Sequence, residues 1–114
     1  MRAAKNIFLV LVTAPNIKTA RRLAKLCLER RLAACANLAP GLESHYWWQG
    51  RLEAGAEVLM LIKTTRARLG ELERLLLKEH PYDTPEIIAL PVTAGTPAYL
   101  DWLSESAHTQ APYS

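Results

Sequence analysis

Residues 7–12 read IFLVLV, a run that is apolar at every position and rich in β-branched side chains. In a strand alternate side chains point to opposite faces, so Phe8, Val10 and Val12 oppose Ile7, Leu9 and Leu11. Two further runs behave the same way, VLMLI at 58–62 and IIAL at 87–90. A sheet with one wet face alternates apolar and polar residues instead. Both faces of this sheet therefore need cover.

The segments between these runs supply some of it. Thr13-Ala14-Pro15-Asn16 forms a turn with Asn16 placed to cap a helix. Ala20, Leu23, Ala24, Cys27, Leu28 and Leu32 recur at helical spacing, which predicts a helix over 17–32 closed by Arg30 and Arg31. A long bent hairpin follows, out through 34–38 and 44–48, and back through 51–52 and 57–64. Gln49-Gly50 makes its turn, while Gly41 and Gly55 are expected to be bulges or kinks. Thr65 is expected to cap a second helix over 66–79, ended by His80-Pro81. The strand 86–92 contains Pro91, which suits an edge. Thr96-Pro97 then opens a short helix over 97–106.

The order β-α-β-β-α-β-α is the split βαβ, ferredoxin-like pattern of an α+β domain, with both crossover helices on one sheet face. A single domain over 1–107 with a polar tail at 108–114 follows. The short third helix is too small to cover the other face, so a homo-oligomer of two-fold or three-fold symmetry is expected.

The totals agree with a globular chain. Of 114 residues half are apolar, and 14 Lys and Arg against 11 Asp and Glu leave a charge of +3. The cations at 18, 21, 22, 25, 30 and 31 read as a solvated helix face rather than a nucleic-acid footprint. Two cysteines without metal-ligand spacing read as reduced thiols. Arg2 and Lys5 before the first apolar run imitate a signal peptide, but the run is too short and leads straight into a helix start. A cytoplasmic protein without a membrane span is expected.

Five motifs then point to a family. RLAACANL (31–38), YWWQG (46–50), IKTT (62–65), HPYDTPEIIALPV (80–92) and YLDW (99–102) together resemble the CutA family of divalent-cation tolerance proteins, from about Leu9 to Ala107. The resemblance implies a ferredoxin-like subunit with a long hairpin, assembled as a tight homotrimer and related in shape to the PII signalling proteins. It associates bacterial members with tolerance to copper and other divalent metals, and animal relatives with acetylcholinesterase anchoring. In some members copper is assigned to a cysteine before the Thr-Ala-Pro turn and to two histidines before Pro-Tyr. Those positions here are Val12, Glu79 and His80. Glu79 and His80 are thus the candidate metal ligands, a generic carboxylate-imidazole pair for Cu(II) or a similar ion. Adjacent helical residues diverge by about 100°, and His80 bonded to a helix-end carbonyl is the competing reading.

A second set, Cys35, Tyr46, Trp48, Lys63, Tyr82 and Glu86, falls on strands or strand edges within the same motifs. The resemblance implies that it lines clefts between subunits, with Glu86 a candidate ion partner for Lys63. The same aromatics also suit plain trimer packing.

Tyr46, Trp47 and Trp48 lack the basic and glycine-rich context of an RNA-binding sheet. No motif for an organic cofactor, hydrolase or redox enzyme is present. The expected function is non-enzymatic: a homotrimer that binds copper or a similar divalent metal weakly. The alternative is a PII-like signalling or scaffold trimer that takes a small anion or partner in its clefts.

Overall fold

The structure, a computed structural model, describes residues 1–108. Of the polar tail expected over 108–114, all but His108 lies outside the described residues. The chain forms β1 (Arg2–Ala3), β2 (Ile7–Ala14), α1 (Ile17–Glu29), β3 (Cys35–Trp48), β4 (Arg51–Thr65), α2 (Leu69–Glu79), β5 (Ile87–Pro91), β6 (Ala94–Gly95) and α3 (Pro97–Ser106). β2 to β5 make one antiparallel sheet in the order β3-β4-β2-β5, and β1 pairs with β6 in a second, two-stranded sheet. This is the expected α+β architecture. Pro91 does lie on an edge strand, β5, where its missing N–H breaks no ladder.

One sheet face carries the core. Val10, Val12, Val58, Met60 and Ile62 pack there against Leu23 and Cys27 of α1 and Leu72, Leu75 and Leu76 of α2. Among the described residues the opposite face is covered only at one end, where Leu100 and Leu103 of α3 close over Ile7. Beyond that end Leu9, Leu11, Leu59 and Leu61 are only half-buried, and Ile88 and Leu90 are 51% and 43% exposed.

Local chemistry sets the element ends. Asn16 caps α1 as expected, its Oδ1 accepting the Thr19 N–H at 2.8 Å. The helix stops at Glu29 rather than running to Leu32. Arg31 turns left-handed at φ +57°, and the Arg31 and Leu32 N–H groups bond back to the Leu28 and Cys27 carbonyls. That is a Schellman ending in which Leu32, now outside the helix, is buried against the core. Thr65 makes no side-chain cap; a 3-10 turn, Arg66–Arg68, leads into α2 instead. Gln49 and Gly50 both have positive φ, as a two-residue hairpin turn requires.

The hairpin is continuous rather than broken. Its one irregularity lies between Ala39 and Leu42, where Gly41 adopts φ +85°. Gly55, expected to kink, pairs regularly with Ser44. The bulge places one extra residue in β3, and a one-residue slip exchanges the faces of a strand. It therefore brings Tyr46 and Trp48 onto the same ladder face as Cys35 and Asn37.

Candidate functional site

The open face of the sheet carries the candidate site. Register puts Cys35, Lys63, Leu9 and Leu90 in one row and Asn37, Leu61, Leu11 and Ile88 in the next. Lys63 Nζ donates to Asn37 Oδ1 at 3.0 Å and lies 5.7 Å from the centre of the Tyr99 ring, within cation–π range. Cys35 Sγ sits 3.7 Å from the Tyr99 hydroxyl, and Tyr99 packs against Trp102 at 5.4 Å between ring centroids. A lysine on an apolar face is thus held by one amide oxygen and one aromatic face. Asn37 and Tyr99 are contacts of Lys63 that sequence reasoning passes over. The available signal was the Cys35-x-Asn37 spacing, which shares a strand face.

Glu86 is not the partner of Lys63 within the chain. It precedes β5, four positions from Leu90 in the Lys63 row, a separation of about 13 Å along a strand. Glu57, Tyr46 and Tyr82 form a second group instead. The Tyr82 hydroxyl donates to Glu57 Oε2 at 2.9 Å. Burial, then the hydrogen bond and charge of Glu57, with a smaller contribution from Tyr46, push the Tyr82 phenol up to about 12. Trp48 stands further out, paired with Arg51 beside the hairpin turn.

The two candidate metal ligands face different ways. Glu79 accepts from Arg22 Nη1 on α1 at 3.0 Å, and its backbone carbonyl accepts from Nη2 at 2.8 Å. His80 is buried; Nε2 donates to the Thr13 carbonyl at 2.7 Å, and Nδ1 accepts the Tyr82 N–H at 3.1 Å. Because a carbonyl only accepts and an N–H only donates, these bonds fix the Nε2–H tautomer. Val12 is fully buried in the core and offers no donor. No cluster of three or more His, Cys, Asp or Glu able to hold a metal occurs among the described residues. This donor set does not fit a chelated ion unless existing bonds are broken.

Cys27 is inert packing, its thiol raised to about 11 by burial despite Arg30 nearby. Among the described residues Cys35 contacts Asn37 and Tyr99 but no histidine or carboxylate, so these residues assemble no nucleophile–base pair around it.

The model of the family described as CutA1 divalent ion tolerance protein matches residues 8–106. The chain belongs to the CutA1 family. A divalent-cation tolerance protein CutA from Thermus thermophilus is 47% identical over 97 residues, 85% of this chain and 94% of that one. The one from Pectobacterium atrosepticum is 50% identical over the same share of this chain and 88% of its own. A rice CutA, named as chloroplastic, is 45% identical, and this chain spans 55% of its length. The solved structure of the Thermus thermophilus divalent cation tolerance protein superposes with a TM-score of 0.85 at 46% identity, covering 88% of this chain and 97% of that chain. The CutA1 match encloses both groups of the open face, from Cys35 to Tyr99. No helix among the described residues is long and apolar enough to cross a membrane.

Proposed function

We propose that this CutA1-family chain works as a homotrimer whose open sheet faces meet at the seams, and that its site is the cleft so formed around Lys63. The observation that carries this is the row of six apolar side chains, Leu9, Leu11, Leu59, Leu61, Ile88 and Leu90, left without cover beside an ordered lysine. Completing the burial of these six partly covered side chains is worth on the order of 5 kcal/mol per copy, which offsets part of the roughly 4–15 kcal/mol cost of association. In a cyclic assembly one end of a face meets the other end of its neighbour's. That arrangement would bring the Lys63 end of one copy toward the Glu57, Tyr82 and Glu86 end of the next.

In this reading the cleft takes a small anion or an acidic group of a partner, held by Lys63 and the Asn37 amide against the Tyr99 ring. Its contribution to divalent-cation tolerance is then signalling or scaffolding, not chelation and not catalysis. A Cu(II) ion at Glu79 and His80 would have to displace Arg22 or the Tyr82 N–H. The two unpaired cysteines suit a reducing compartment, here the cytoplasm. The test is thermal stabilisation by a panel of small carboxylate anions and by Cu(II), in wild type, Lys63→Ala and His80→Ala. Anion stabilisation lost only in Lys63→Ala supports the reading. Tight Cu(II) binding lost in His80→Ala would replace it with a metal site.

A further inference from the structure

We infer that the groove between the end of α1 and the face of α2 is a separate binding site for a small phosphoanion, such as a phosphate monoester or diphosphate group. The groove holds about 220 Å³ and is lined by Arg30, Leu32, Glu71, Arg74, Leu75 and Lys78. Glu71, the one acid in that lining, is already occupied: it accepts from Arg68 Nη1 at 2.9 Å. Arg68 is 4% exposed, and its other donors bond the Arg31 and Arg30 carbonyls at 3.1 and 3.3 Å. The wall therefore neutralises its own acid. Arg30, Arg74 and Lys78 have no ion-pair partner among the described residues.

Helix dipoles account for part of this arrangement only. Cations at helix C-terminal ends are favourable, which covers Arg30 after α1 and Lys78 in the last turn of α2. Arg74 sits in the middle of α2, and with Lys78 it forms an i,i+4 pair of like charges, which is destabilising. An anion between them reverses that penalty. The buried Leu32 and Leu75 keep one side of the groove dry, which strengthens charge pairing. Two guanidinium forks and an ammonium match phosphate oxygens in geometry and charge. The groove is smaller than the roughly 300–1,000 Å³ of drug-sized pockets, so it holds the anionic group while the rest of a ligand projects into solvent. The Arg22–Glu79 ion pair joins the same two helices at 3.0 Å. This groove is on the helix layer and does not depend on the sheet-face cleft.

Calorimetric titration of the purified protein with inorganic pyrophosphate and with ADP tests the assignment. Saturable binding is expected, weaker at high salt, at least about tenfold weaker in Arg74→Gln/Lys78→Gln, and unchanged in Lys63→Ala. Equal affinities mean that the phosphates alone are read; tighter ADP binding adds a contact to the nucleoside. Both positions are exposed, so the double variant should melt at the wild-type temperature; a smaller loss of binding in Lys78→Gln alone gives a second check. No saturable binding by either probe, binding that survives the double substitution, or binding abolished by Lys63→Ala overturns the site.

Discussion

Lys63 of β4 and Asn37 of β3 share a 3.0 Å hydrogen bond on the sheet face that the crossover helices leave bare. The bond fixes a cation among leucines with no ion-pair partner among the described residues. Replacing Lys63 with Ala removes the charge and leaves the Asn37 oxygen at an exposed position. Folding should change by no more than about 1 kcal/mol, while stabilisation by small anions at the cleft should disappear in a thermal-shift assay.

The proposed contact between opposite ends of neighbouring faces has its own signature. Glu86→Lys should weaken assembly by setting a cation near the neighbour's Lys63. The double change Lys63→Glu/Glu86→Lys should restore it. Mass measured by light scattering across a dilution series checks this, and a double variant no better than Glu86→Lys alone would separate the two residues.

Much of the fold is legible because strand alternation and helix periodicity are local signals. The bare face, the Asn16 cap, the edge position of Pro91 and the bulge at Gly41 all follow from a few adjacent residues. What escapes is set by distant parts of the chain. The β1–β6 sheet is two residues deep and exists because the first residues lie beside the Ala94–Gly95 segment. Thr65 makes no side-chain cap, and the Arg66 N–H bonds the distant Asn6 carbonyl at 2.8 Å as the chain leaves the sheet. Pairing Lys63 with Glu86 follows charge, but the ladder register supplies Asn37. Tyr46 joins the open face through a single extra residue in β3, which spacing does not reveal until the partner strand is known.

Tyr82 offers a titration. Its phenol is raised to about 12 from an ordinary 10.0, so the native state keeps a proton that the unfolded chain releases. Stability contributed by this group is complete below pH 10, and it falls as pH climbs toward 12. Ultraviolet titration should show a late tyrosine transition that is absent in Tyr82→Phe. That variant should also lose about 0.5–1.5 kcal/mol at neutral pH with the Glu57 hydrogen bond.

Arg31 adopts φ +57° without being glycine, a conformation that costs an L-residue roughly 1–2 kcal/mol. Its side chain recovers one exposed bond to the Ser106 carbonyl at 3.3 Å. Arg31→Gly should therefore stabilise the chain by up to about 1 kcal/mol, read as a raised midpoint in chemical denaturation.

Leu61 lies at the centre of the uncovered rows, opposite Leu11 and Asn37. Sedimentation equilibrium of the wild type and Leu61→Asp tests the seam directly. The wild type should sediment at three times the 12.7 kDa chain mass down to low micromolar concentration, and Leu61→Asp should dissociate or unfold. A wild-type chain that stays folded at 12.7 kDa, or a Leu61→Asp variant that remains a heat-stable trimer, would contradict the account.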